Sequence, residues 1–272
     1  MKNIVTSLAL AAVASLSLSL SALAQTASPV QSSARPFGLD IVDKVQLAGS
    51  DDASATFQKS VLPGLSGYLS GALSEGKKID DNAHLLDPSK LKLATDSNVR
   101  AYFIGEGAGY ENSLGFNTSG GGVKTGNPEL IFPNASTGGK RTDSTPLQAG
   151  DFVDLGKIAG GQKLDFFLIA NGATRTPGEV YSTDSSVNRD GINHVVSFAT
   201  IYGSYLVIGF EDLLGGGDRD FNDLLFAIDI GAVNVAALTG TPEPATYMTM
   251  GLFLVGGVWV ARRRKAQKAV NA

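Results

Sequence analysis

From Lys90 onward the chain is a series of short apolar runs, each ended by Gly, Asn or Asp, and this limits the fold more than any other feature. VRAYFIGEG predicts a strand near Val99 to Gly105, followed after a glycine-rich turn by an apolar piece at Leu114 to Phe116 and then by ELIFPN. GDFVDLGKIAGGQ, KLDFFLIANG, HVVSFATIYG and SYLVIGFED follow. Strands recurring every ~10–15 residues with turn signals between them are the pattern of a sandwich or barrel. Glycine, 33 of 272 residues, supplies many turns. No long helical stretch separates these runs, which disfavours a parallel doubly wound sheet. The expected class is all-β: an antiparallel β-sandwich, jelly-roll-like, with LDFFLIANG deep in its core. HVVSFATIYGSYLVIGF reads as a hairpin turning at Tyr202-Gly203-Ser204.

The stretch Phe210 to Asp229, FEDLLGGGDRDFNDLLFAID, concentrates acid between two apolar runs. Glu211 and Asp212 close the first run, and Asp218, Asp220, Asn222 and Asp223 open the second. If the two runs pair as strands, these oxygens meet at one end of a hairpin, with Arg219 the only base among them. Carboxylates so close repel unless a cation neutralises them or some take up protons. Calcium suits such a set, because it takes about six to eight hard oxygen ligands in flexible geometry. Asp218-x-Asp220-x-Asn222 is the alternation that opens an EF-hand loop, but Asp223 stands where the turn glycine of that loop belongs. LLFAIDI then continues as strand rather than helix. The candidate metal ligands are Glu211, Asp212, Asp218, Asp220, Asn222 and Asp223. The competing reading is an acidic hairpin tip whose side chains cap turn amides.

Both ends of the chain carry export signals. Lys2, the apolar segment IVTSLALAAVASLSLSLSALAQ and Ala22-Leu23-Ala24 predict a signal peptide over 1–24, with Gln25 the first mature residue. At the other end, Pro242-Glu243-Pro244 precedes an apolar segment, 245–261, at the short limit for a bilayer span. Arg262, Arg263 and Arg264 then place the basic tail, 262–272, in the cytoplasm. The folded body therefore lies outside the cytoplasmic membrane. Between the ends come a leader and partly helical region (25–89), the sandwich (90–236) and a linker holding Pro-Glu-Pro (237–244). Within 25–89, Phe57, Val61, Leu62, Leu65, Leu69 and Leu73 recur at helical intervals, interrupted by Pro63 and Gly64, and predict one or two short helices.

The formal net charge is −4 and no basic stripe with interleaved aromatics is present, so nucleic acid is not an expected partner. His84 and His194, the only histidines, lie far apart in sequence and do not make a zinc pattern. No G-x-S-x-G nucleophile elbow occurs.

The tail resembles the PEP-CTERM sorting signal: Pro242–Pro244, an apolar helix and Arg262–Arg264 stand in the order of that family. The resemblance implies recognition by an exosortase, with cleavage near the Pro-Glu-Pro motif and transfer to the cell surface or release. Such proteins are typical of Gram-negative bacteria that make extracellular polysaccharide and biofilm. The body resembles the bacterial domain of unknown function numbered 4114, on GFEDLLGGGDRDFNDLLFAI and the earlier GEGAGYENSLGF, LIFPN and FFLIANG, over roughly residues 98 to 230. That family looks like a β-sandwich module of secreted and surface proteins. It implies calcium at Glu211, Asp212, Asp218, Asp220, Asn222 and Asp223. Separately, the GYENSLG turn is expected to bring Glu111 and Asn112 toward the same end.

The expected function is that of a non-enzymatic surface or matrix module, stabilised by calcium and associated with extracellular polysaccharide or biofilm. Tyr102, Tyr110, Tyr181 and Tyr202 are candidates for stacking on sugar rings, although tyrosines in sandwiches are also ordinary strand residues. The alternative is a secreted carbohydrate hydrolase using the loop carboxylates, a chemistry that needs two carboxyls about 5–9 Å apart beside a cleft.

Overall fold

The computed structural model describes residues 30–74, 85–137, 147–200 and 202–240. The signal-peptide residues Ala22, Ala24 and Gln25, the Pro242–Pro244 motif, the 245–261 segment, Arg262–Arg264 and His84 lie outside the described residues. Among the described residues no helix is long and apolar enough to cross a membrane.

The body is built from β1 (Leu85–Leu86), β2 (Ser97–Gly105), β3 (Ser113–Asn117), β4 (Glu129–Phe132), β5 (Phe152–Ile158), β6 (Asp165–Ile169), β7 (Val180–Ser182), β8 (Val195–Ala199), β9 (Tyr205–Phe210) and β10 (Leu224–Asp229). They form a six-stranded sheet ordered β1-β8-β9-β10-β2-β5 and a four-stranded sheet ordered β4-β3-β6-β7. Every pairing between these strands is antiparallel. The expected apolar runs became strands. β8 and β9 pair as the predicted hairpin, with Gly203 at φ 73° in its turn, where the absence of a Cβ removes the steric penalty.

The two sheets face each other across one apolar core. Ala101, Phe103, Ile208, Phe210 and Phe226 come from the larger sheet, and Leu114, Phe132, Phe166 and Leu168 from the smaller. Phe103 meets Phe132 edge-on at 6.0 Å, and Phe166 meets Phe226 at 5.2 Å. Edge-on ring pairs place the positive ring edge against the negative face and add to the burial of area.

The outer face of the larger sheet is covered too. α1 (Asp52–Thr56), a π-helical turn at Phe57–Val61 and α2 (Leu62–Ala72) run on without a break. They lay Phe57, Val61, Leu62, Leu65 and Leu69 on Tyr102, Ile104, Phe152, Phe198 and Val207. Phe57 stacks on Tyr102 at 3.9 Å. The helix opens with a capping box: Ser54 N–H donates to the Asp51 carboxylate and Asp51 N–H donates to Ser54 Oγ, satisfying two amides that a helix start leaves unpaired. Pro63 does not end the run. The turn before it widens to π spacing, which accommodates a residue that has no N–H and whose ring crowds the carbonyl four positions back.

Burial on both faces explains why β6 is apolar from Phe166 to Ile169. Phe166 and Leu168 face the core, and Phe167 and Ile169 face a second cluster with Leu130, packed by Leu39 and Ile41. α3 (Ala232–Thr239) follows β10 and crosses the 236/237 boundary expected between body and linker.

Candidate metal centre

β9 and β10 pair in register from Phe210↔Leu224 to Tyr205↔Asp229. Residues 211–223 therefore form the loop that closes one end of this hairpin, as the sequence pattern requires. The loop winds through left-handed backbone at Gly215, Gly216, Gly217, Arg219 and Phe221, with φ of 86°, 85°, 47°, 65° and 56°. Glycine takes this region freely, whereas Arg219 and Phe221 each cost about 1–2 kcal/mol there. The left-handed residues alternate with Asp218, Asp220 and Asn222.

The winding brings Glu211, Asp218 and Asp220 together, with one carboxylate oxygen of each within 4.8 Å of the others. Glu211 and Asp220 are about 1% exposed, whereas Asp218 is open to solvent. Phe221 N–H donates to Glu211 Oε1 at 2.8 Å. Glu211 Oε2 lies directly against Gly217, in space that a Cβ would occupy. Burial pushes the Glu211 carboxyl up to about 7; the Phe221 amide opposes the shift, and the charges of Asp218 and Asp220 add to it. Among the described residues no lysine or arginine forms an ion pair with Glu211 or Asp218.

The other three expected ligands brace this group. Asp223 Oδ2 accepts from Asp212 N–H at 2.8 Å, clamping the ends of β9 and β10 together. Asp212 Oδ2 in turn accepts from Asn112 Nδ2 at 2.8 Å. Burial raises both the Asp212 and the Asp223 carboxyls, and the charge of Asp212 raises Asp223 further. Asn222 Nδ2 donates to Asp220 Oδ2 at 2.8 Å, and its own Oδ1 lies beside Gly107. Asn112 thus reaches the expected end of the sheets, and its Oδ1 also accepts from Asn171 N–H. Glu111 is exposed, and its backbone N–H donates to Asn171 Oδ1 at 3.2 Å.

Sequence reasoning missed the loop's other anchors, Asp190 and His194. Glu211 N–H donates to the His194 carbonyl at 2.9 Å. Asp190 Oδ2 accepts from Gly215 N–H at 2.8 Å and lies 2.9 Å from His194 Nε2. Burial raises the Asp190 carboxyl, but the Gly215 amide and the His194 ring outweigh it and hold the group below its ordinary value. His194 is fully buried, stacked on Tyr181 at 4.0 Å. The only local hint was D-x-x-x-H at 190–194.

Two of the four expected sugar-stacking tyrosines cannot serve. Tyr102 and Tyr181 are each 1% exposed, because both point from central strand positions into packed layers. Tyr110 and Tyr202 keep some exposure.

Residues 158–231 match the model of a family described as Domain of unknown function (DUF4114). The matched stretch begins at the end of β5 and includes both anchors and the whole acidic loop. It starts later than residue 98, where the resemblance had been expected to begin. No curated protein and no solved structure matches the chain.

Proposed function

We propose that this chain is an exported, non-enzymatic surface or matrix module whose two facing sheets form a β-sandwich closed at one end by a calcium-binding loop. One observation carries the proposal: Glu211 and Asp220, both buried, converge with Asp218. Buried carboxylates that approach this closely are held apart from water and repel one another, and a divalent cation removes both costs. Glu211, Asp218 and Asp220 would hold the ion, and loop carbonyls and water complete its oxygen shell. Asp212, Asp223 and Asn222 act as braces around it. Calcium bound by the folded chain alone adds stability by mass action.

The export signals of the sequence support the location. Residues 1–24 direct export, Pro242–Pro244 with Arg262–Arg264 direct exosortase sorting, and 245–261 holds the chain in the cytoplasmic membrane before processing. The module then acts at the cell surface or outside the cell, among extracellular polysaccharide. A hydrolase needs a hollow beside two separated acids; the hollows that Phe37, Arg175 and Tyr68 line include none of Glu211, Asp212, Asp218, Asp220 and Asp223.

Direct titration of the purified chain with calcium by calorimetry tests the metal site. Saturable binding that is lost in Asp218→Asn/Asp220→Asn is expected; equal heats in both proteins would refute it.

A further inference from the structure

At one turn, remote in sequence from the carboxylate loop, the chain holds an aromatic ring in solvent against its own backbone preference. Phe37 is 57% exposed, more than any other large apolar side chain among the described residues. Its φ is 55°, a region where the Cβ of a bulky residue is crowded at a cost of about 1–2 kcal/mol. The turn is fixed on both sides: Pro36 is buried, Gly38 N–H donates to the Arg35 carbonyl at 3.0 Å, and Leu39 N–H donates to the Pro36 carbonyl at 3.1 Å.

Phe37 lines two open hollows at once, of about 360 and 380 Å³, each within the size range of small-ligand sites. Lys124 and Arg189 border the first, and Arg35 and Arg175 border the second. The one acid among their lining residues is Glu179, already paired with Arg189. Arg35 and Lys124 donate only to backbone carbonyls, which leaves their charge uncompensated. Arg175 is exposed and has no ion-pair partner among the described residues. Four cations beside one acid reverse the sign of a chain whose formal net charge is −4.

We propose that this groove binds an acidic saccharide, with a pyranose ring stacked on Phe37 and its carboxylate or sulfate held by Arg175, Arg35 and Lys124. A pyranose offers a flat C–H face and, when acidic, a charge at its edge. A solvent-facing ring flanked by guanidinium groups matches both features, because the planar fork pairs bidentately with carboxylate. An acidic peptide would use the cations and leave the ring without a matching face. The groove shares no lining residue with the carboxylate group of the loop.

The test is calorimetric titration of the full chain in detergent, with chelator present so that calcium cannot bridge. The probes are tetragalacturonate, the neutral galactose tetramer and tetraglutamate. Tetragalacturonate is expected to bind at least about tenfold tighter than either of the others. Phe37→Gly suits the left-handed turn and so preserves the fold, and it should weaken binding about tenfold. Arg175→Ala should remove the preference for the acidic sugar over the neutral one. Asp218→Asn should leave this binding unchanged, so failure of the calcium reading and failure of this one are told apart. Equal binding of tetraglutamate, equal binding of the neutral sugar, no binding at all, or affinity unaltered in both groove variants would each overturn the proposal.

Discussion

Glu211 is the residue on which the calcium reading depends. Its carboxyl holds its proton to about pH 7 in the folded chain, against an ordinary value of 4.5. In chelator this group favours the fold fully below pH 4.5, and its contribution is lost as pH rises through 7. Asp223 acts in the same direction. Calcium requires the ionised carboxylates, so protons compete with it. The calcium-induced rise in melting temperature should therefore be several degrees at pH 8 and small at pH 5; equal rises at the two pH values would remove Glu211 from the site. Glu211→Gln keeps an oxygen for the Phe221 amide and removes the repelled charge. In chelator at pH 8 it should melt at least as high as the parent chain, with its calcium response abolished, and a scanning calorimeter reads both. The acidic pattern was legible in the sequence because six candidate ligands lie within 13 positions, 211 to 223. Asn112 was expected at this end and is found there; Asp190 and His194 were not foreseen, since each reaches the loop from a distant turn or strand. The division of the six into a converging group and its braces was equally hidden. It depends on which residues take left-handed φ, and for Arg219 and Phe221 their identity gives no warning of that.

At the scale of elements, the loop is shaped by glycine where side chains must pass. Gly217 sits under the Glu211 carboxylate at φ 47°. Gly217→Ala should destabilise the chain by about 1–3 kcal/mol and shrink the calcium response together. A loss of stability with an intact calcium response would separate loop folding from ion binding. β2 through β6 and β8 through β10 were readable because each is an apolar run with a turn residue after it. β7, three residues long, and β1, two residues long, carry no period to read. α3 was missed because AVNVAALT is only eight residues long and lies just past Gly231, where the composition already reads as linker. Helical structure from Phe57 onward was readable from its apolar spacing, but its start at Asp52 and its continuity past Pro63 were not, because a π turn leaves no mark in the residue pattern.

Taken whole, the chain is two antiparallel sheets with a helical cover on one outer face. The sequence pattern pointed to antiparallel sheets. It could not give the order of the strands, since β2 enters between β10 and β5 and its pairing with β10 joins residues more than 100 positions apart. Phe166 and Phe226 join the sheets at their common core, so Phe166→Ala should cost about 3–5 kcal/mol, equally with and without calcium. Chemical denaturation in both conditions measures this; a cost that depends on calcium would couple the core to the loop. Calcium, by contrast, should stabilise the molecule through one end of one hairpin. At about 100 times its dissociation constant an ion adds about 2.7 kcal/mol, equivalent to about 5–10 °C for a body of this size. The most direct measurement is the melting temperature of the purified chain at pH 8, in calcium and in chelator. A rise of that order in calcium, absent from Asp218→Asn/Asp220→Asn, is the predicted result. The same melting temperature in both conditions, from a folded chain, would contradict a calcium site at Glu211, Asp218 and Asp220.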